Sequence, residues 1–329
     1  MQSPRWVYPD TVQSALTELN RPGSMPVAGG TTIVDLLKLG HPIPERLIDL
    51  SRLPLKAIED RDDSIMLGGG VSNTDAAYSA VVRRSFPAVS EAILSGATQQ
   101  IRNAATIAGN LLQATRCLYF RDPRWACNRR IAGSGCSAIE APQPGHAVLG
   151  VSSQCIAVHP SDLSVALAAL DAVVIGETPK GTLRVPIAAF YKRPDDERAR
   201  DCTWTSDSLI TGVELPKSRL ASRSGYLKLR HRASYEFSSA AVAAALLLED
   251  GVVKHFSMAL GGIATMPWRN LDAERHLIGK PLTVDSIDQL CDRVLDGAVT
   301  SSSTDYKIGL ARGGIHRLLD RLAAAQRGT

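Results

Sequence analysis

The chain has little cysteine, with six in 329 residues, and few aromatics, at 5%. A core of this size does not need disulfide staples, because its apolar content of 44% is ample for burial. Charge of one sign is also scarce: 37 Lys and Arg against 33 Asp and Glu leave a net +4. No basic stripe interleaved with aromatics is present, which argues against a nucleic-acid partner. The longest apolar run, Ala240 to Leu248, is too short to span a bilayer. The start, "MQSPRWVYPDTVQSALTEL", lacks a basic segment followed by an apolar one, so no signal peptide is expected. The expectation is a soluble protein, cytoplasmic unless exported alongside a partner. A reducing compartment would then favour metal or redox use of thiols over disulfides.

Against that scarcity, four of the six cysteines fall between Arg116 and Cys155. The stretch also carries Arg116, Arg121, Arg124, Arg129 and Arg130, with several Gly and Pro, and shows no regular periodicity. The spacing C-x9-C-x8-C-x18-C matches neither a ferredoxin run nor a zinc ribbon. Four thiolates suffice for a [4Fe–4S] cluster or a zinc ion, so cluster, zinc, and disulfides or free thiols all stay open on spacing. The arginines would offset thiolate charge, and Gly133 and Gly135 would let backbone N–H groups approach sulfur. Cys202 and Cys291 read as ordinary buried or free cysteines.

The rest of the chain alternates short strands, glycine turns and helices. Thr11 or Asp10 caps a helix through Leu19, and "MPVAGGTTIVDLLKLG" gives strand, turn and a helix that Gly40 closes. "SIMLGGGVSNTD" is a strand, a triple glycine and a capped helix, and "FPAVSEAILSGA" is another helix. "QQIRNAATIAGNLLQ" reads as extended pieces and turns, with Gly109 and Asn110 suited to special backbone angles. Ser161 or Asp162 caps the helix of "HPSDLSVALAALDAVV", and His159 reads as a loop or capping residue. "YKRPDDERARD" is a polar loop, and a boundary falls near residues 217–225. Asp250-Gly251 between apolar runs marks a hairpin, and two amphipathic helices follow.

"AGGTTIVD" aims backbone N–H groups and two hydroxyls at a helix start, an arrangement that suits an anion. It is neither a P-loop nor a Rossmann fingerprint. "TIAGN" supplies a second glycine turn, and a diphosphate ligand would use both. Taken alone, each turn is equally well a tight turn of the chain.

The order "PVAGGTTIVDLLKLG", "QIRNAATIAGNLLQATR", "HPSDLSVALAALDAVV", "YLKLRHRASYEFSSAAVAAAL" resembles the FAD-binding medium subunits of molybdenum hydroxylases, the xanthine dehydrogenase and carbon monoxide dehydrogenase family. The likeness runs from Trp6 to the final helix. It implies an α+β fold: a two-part FAD-binding domain of the PCMH (vanillyl-alcohol oxidase-like) type, then a small α+β domain with an antiparallel sheet and helices. The expected units are 1–56, 57–222 with an insertion at 114–158, and 223–329.

The resemblance implies that Pro26, Val27, Ala28, Gly29, Gly30, Thr31, Thr32 and Ile33 cradle the FAD diphosphate. Thr106, Ala108, Gly109 and Asn110 would form the second turn against it. Asp162 would bind its ribityl or ribose region, and Lys228 would reach the flavin ring; without the family, Lys228 reads as an exposed strand lysine. Family members usually join the second turn to the Asp162 helix by a short link, so the cysteine segment is an insertion. It is similar to that of a smaller group, the [4Fe–4S]-containing FAD subunits of periplasmic aldehyde oxidoreductases. That likeness implies a cluster on Cys117, Cys127, Cys136 and Cys155. It also implies two partner subunits, a large one with a molybdenum cofactor and a small one with [2Fe–2S] clusters, delivering electrons through FAD to an external acceptor. A self-contained flavin oxidase and a zinc-stabilised scaffold are the competing readings.

Overall fold

Three sheets organise the protein in a computed structural model that describes residues 3–41, 43–141, 144–194 and 202–327. Part of the polar loop expected at Tyr191–Asp201 lies outside the described residues. The first sheet is small and parallel, with Arg46–Asp49 between Arg5–Val7 and Ser24–Val27. Thr11 caps the helix Val12–Leu19 with a capping box, as the sequence suggests. The second sheet has five strands, in the order Ile58–Asp60, Ser64–Gly68, Leu209–Pro216, Val173–Thr178, Gly181–Pro186, all antiparallel neighbours. The third joins Ser224–Leu229, Ala240–Glu249 and Val252–Gly261, also antiparallel. Its hairpin turns at Asp250 (φ 51°) and Gly251 (φ 76°), the paired positive φ of a type I′ turn.

The apolar run at Ala240–Leu248 is a strand buried on both faces. Ala241, Ala243 and Ala245 join one core, with the helices Pro87–Ser95 and Asp162–Ala169. Val242, Ala244 and Leu246 join another, beneath Leu271–Leu277, Val284–Val294 and Tyr306–Arg327. Period-two alternation gives every second residue to each core. Small alanines let the helix Asp162–Ala169, almost wholly buried, sit close against the sheet. This strand fastens the C-terminal part to the rest and fixes where Lys228, on its neighbour, can point.

The triple glycine at Gly68–Gly70 is structural. A Cβ at Gly68 would lie 2.3 Å from Leu55 O, and one at Gly69 2.5 Å from Ile210 O. No described helix is long and apolar enough to cross a membrane.

Candidate functional site

Strand Ser24–Val27 delivers the chain to the turn Ala28–Thr32, and the helix Ile33–Lys38 leaves it. Gly30 takes φ 72°, which favours glycine. Gly29 is required by space instead: a Cβ there would stand 1.8 Å from Ala104 O. The backbone beyond Ala104 is where the second motif begins, so the two turns are pressed together by the absence of a side chain.

That second motif is more regular than its sequence suggests. Two short helices, Gln99–Ala104 and Ile107–Leu111, replace the expected extended pieces. Thr98 and Thr106 explain the difference, since their hydroxyls accept from the backbone N–H of Ile101 and Gly109 and start each turn. Gly109 is therefore helical and needs no special backbone angle. Its bareness leaves open space: a Cβ would meet only Thr106 Oγ1, at 3.0 Å. Asn110 Oδ1 accepts from Ser161 Oγ at 2.7 Å and from Gln113 Nε2 at 3.0 Å, so it pins the next helix start.

Two cavities of about 480 and 450 Å³ meet here, sharing Thr31, Thr32 and Gly109 in their walls. The larger is about half polar and reaches Asn110, Asp162 and Lys228. The smaller is mostly apolar, lined by Pro26 to Ile33, Thr106, Ala108 and the Trp204 side. Asn73, Arg102 and Arg116 in the first wall and His41 and Trp204 in the second each carry one buried polar atom without a protein partner, set behind the cavity surface. Cavities of this size, one of mixed lining and one mostly apolar, suit a ligand with both polar and apolar parts. Sequence reading missed these five, which lie on separate elements with no shared local motif.

Asp162 is the first residue of its helix, and Ser161 is the cap. The carboxylate is committed within the protein. Oδ1 accepts from Tyr226 Oη at 2.6 Å, and Oδ2 accepts from Lys228 Nζ at 2.7 Å. Lys228 is no exposed strand lysine; its side chain is 3% exposed, and Nζ also donates to Ser95 O at 3.3 Å. Burial, with the Asp162 charge beside it, holds the Tyr226 phenol well above its ordinary range. The pair keeps a cation fixed at the cavity wall.

The cysteine segment has little regular structure beyond the one-turn helix Leu118–Arg121 and an antiparallel bridge between Cys127 and Cys136. It is nevertheless ordered by specific contacts. Arg130 donates to the carbonyls of Tyr119, Phe120 and Trp125. Asn128 accepts from Gly135 N and donates to Gln154 O. Gly133 and Gly135 take φ 79° and 91°. Val148 and Leu149 both donate to Ile263 O, tying the segment to the C-terminal sheet.

Burial pushes Cys117 up to about 11 and raises Cys136, and each of the two also feels the charges of Cys127 and Cys155. Cys117 Sγ lies 3.2 Å from His146 Nε2, and Arg129 Nε donates to Cys155 Sγ at 3.1 Å. The expectation that the arginines as a group balance thiolate charge needs correction. Arg116 and Arg121 turn away to clamp Asp35 Oδ2, at 2.8 and 2.6 Å, and Arg124 pairs with Asp122. Burial would raise the Asp35 carboxyl, but the bonds and charges of Arg121 and Arg116 outweigh it and leave it below its usual value. Asp35 sits on the helix leaving the first glycine turn, so the clamp binds the cysteine segment to that turn. Cys291 is fully buried and Cys202 half-buried, away from this group. Among the described residues, no three His, Cys, Asp or Glu side chains are grouped tightly enough to hold a single metal ion.

Comparison with known proteins accounts for this layout. Residues 2–218 match the FAD binding domain in molybdopterin dehydrogenase, and residues 225–322 match the CO dehydrogenase flavoprotein C-terminal domain. The aldehyde oxidoreductase FAD-binding subunit PaoB of Escherichia coli (strain K12) is 44% identical over 267 residues, 80% of this chain and 82% of that one. The carbon monoxide dehydrogenase medium chain of Hydrogenophaga pseudoflava is 23% identical over 329 residues, 97% of this chain and 98% of that one. Among solved structures, carbon monoxide dehydrogenase from Hydrogenophaga pseudoflava superposes with TM-score 0.75 at 22% identity, covering 98% of this chain and 99% of that one. Quinoline 2-oxidoreductase from Pseudomonas putida 86 gives 0.76 at 18%, covering 98% of each. The chain belongs to the FAD-binding medium-subunit family of molybdenum hydroxylases and is the FAD-binding oxidoreductase subunit of an aldehyde, carbon monoxide or xanthine dehydrogenase-type complex.

Proposed function

We propose that this chain is the electron-transfer subunit of a molybdenum-dependent aldehyde oxidoreductase, carrying both FAD and a [4Fe–4S] cluster. The observation that carries the FAD site is the meeting of two ligand-sized cavities at Thr31, Thr32 and Gly109. A dinucleotide has two bulky ends joined by a diphosphate, and this site has two chambers joined at two closely packed turns. FAD, when bound, supplies reversible electron uptake. Gly29, Gly30, Thr31 and Thr32 hold the diphosphate on one side, and Thr106, Ala108 and Gly109 lie against it on the other. Asn110 acts by fixing Ser161. Lys228, fixed by Asp162, places a cation in the larger chamber, where negative charge on a reduced ring is stabilised.

The aldehyde assignment rests on the identity to PaoB, well above that to the carbon monoxide dehydrogenase chain. Cys117, Cys127, Cys136 and Cys155 are the cluster ligands in this reading. Zinc would hold four sulfurs about 3.8 Å apart, from Zn–S bonds of about 2.3 Å. A cubane holds its cysteine sulfurs farther apart, and metal analysis separates the two. A large molybdenum-cofactor subunit and a small [2Fe–2S] subunit complete a heterotrimer and deliver electrons to this chain for transfer to an external acceptor. The units are 1–56, 57–222 with the insertion at 114–158, and 223–329. The test is a visible spectrum with iron, zinc and FAD analysis of the anaerobically purified complex. Flavin absorption with four irons beyond those of the small subunit supports the reading, while zinc without the extra iron, or a colourless subunit, overturns it.

A further inference from the structure

A third cavity, of about 510 Å³, lies between the cysteine segment and the C-terminal part. Its walls include Cys117 and His146 on one side and His231, Tyr306 and Lys307 on the other. It shares Arg116, Pro160, Tyr235, Glu236 and Phe237 with the larger chamber described above, so it adjoins both the thiols and the cofactor site.

Lys307 is the unusual member. The residue is 1% exposed, and Nζ donates to Gly262 O at 2.7 Å. Among the described residues no carboxylate pairs with it, and burial pulls its amine down to about 8. It also stands in the first turn of the helix Tyr306–Arg327, where the helix dipole disfavours a cation. A buried lysine without a counter-charge is costly, and an anion entering the cavity would supply one. The other charges in the wall are mixed. Arg232 adds a cation, its guanidinium over Tyr235 at 5.6 Å, whereas Arg116, over Phe237 at 4.9 Å, is already paired with Asp35. Glu236, the facing carboxylate, accepts from the backbone N–H groups of His231 and Arg232, which holds it ionised, so Lys307 and Arg232 together leave the wall positive by only one charge over it. Phe237, Tyr235 and Tyr306 present exposed aromatic surface.

We propose that this cavity binds the external electron acceptor, and that the acceptor is a small planar aromatic anion, with its anionic group at Lys307 and its ring among Tyr235, Phe237 and Tyr306. The inference rests on the proposed function for its reductant. Oxidation of an aldehyde with water gives a carboxylic acid, two electrons and two protons, and a quinone-type acceptor takes up those two electrons and two protons to become the hydroquinone.

Two measurements on the intact complex separate the site from the reading it rests on. Equilibrium dialysis of anthraquinone-2-sulfonate tests the cavity alone: the complex binds the probe, and Lys307→Gln and the surface variant Arg232→Gln each weaken binding about tenfold. Aldehyde-driven reduction then compares 1,2-naphthoquinone-4-sulfonate with uncharged 1,2-naphthoquinone. The ratio of kcat/KM, sulfonated over neutral, falls about tenfold in either variant. Absence of binding to the unmodified complex, equal binding by both variants, or an unchanged ratio overturns the proposal. If Lys307→Gln fails to assemble, Arg232→Gln carries both readouts. A complex that lacks FAD and iron but still binds the sulfonate would overturn the proposed function and the acceptor role together, leaving an anion site.

Discussion

The turn at Ala28–Thr32 and the cysteine segment are both glycine-rich and share positive-φ glycines, but only the turn has a glycine required by lack of space. At Gly29 the backbone of another element occupies the place of a side chain, 1.8 Å from where a Cβ would be. At Gly133 and Gly135 nothing lies within 4 Å, and the requirement is the positive φ of the chain itself. One region is held by backbone packed on backbone. The other is held by side chains reaching along a loop, such as Arg130, Asn128 and the clamp on Asp35. Packing of the first kind has no room to relax, whereas a loop of the second kind can lose a contact and keep its neighbours.

That difference sets the largest expected effect. Gly29→Ala forces the two turns apart, at a cost of about 4–5 kcal/mol, the upper end for single substitutions. The purified subunit should lose its flavin and much of its thermal stability together, read by absorption at the flavin band and by Tm. Full flavin occupancy in the variant would mean the turns are not clamped as described. Next is Asp162→Ala. It strands Lys228, whose side chain is 3% exposed, and costs about 3–5 kcal/mol because a buried charge loses its partner. Denaturant unfolding of the variant against the parent measures it, and a change below 1 kcal/mol would show that Lys228 finds another anion.

His159 stands where the cysteine segment enters the capped helix at Asp162, and it probes the border between the regions. It is buried, bonded to Ser164 Oγ at 2.6 Å and set edge-on to Tyr191. Burial, with Arg129 adding to it, lowers its value to about 3. Below about pH 6.5 the unfolded chain takes up a proton that the folded chain refuses. The stability this neutral histidine permits is therefore complete above pH 6.5 and is lost as the pH falls from there towards 3. At pH 5 the loss is about 2 kcal/mol. Unfolding free energies at pH 7.5 and pH 5 should differ by that much more in the parent than in His159→Gln; equal slopes would show that His159 is not the group that titrates.

How much of this was legible in the sequence follows the same division. The glycine turn at Ala28–Ile33, the caps at Thr11 and Ser161 and the hairpin at Asp250-Gly251 are local, and short-range chemistry writes them plainly. The helices at Gln99–Ala104 and Ile107–Leu111 were hidden by their brevity, although their Thr caps were there to read. The pairing of Asp162 with Tyr226 and Lys228 was not legible, because 64 and 66 residues separate the partners and only the sheet brings them together. The clamp on Asp35 was hidden likewise, with partners 81 and 86 residues away. Arginines near cysteines suggested charge balance, whereas the fold spends two of them on joining the segment to the turn.

The smallest effect tests whether the two regions are separable at all. Gly135→Ala meets no obstruction but must hold φ 91°, a cost of about 1–2 kcal/mol, and it disturbs the N–H that donates to Asn128 Oδ1 at 2.8 Å. If the cysteine segment is an independently adjustable loop, iron content of the complex falls while flavin content stays at the parent level. Parallel loss of both, measured by metal analysis and flavin absorption on the same preparation, would show that the clamp of Arg116 and Arg121 on Asp35 makes the two regions one unit. In that case Asp35→Asn should reproduce the same joint loss, because it leaves both arginines without the carboxylate charge that holds them to the turn.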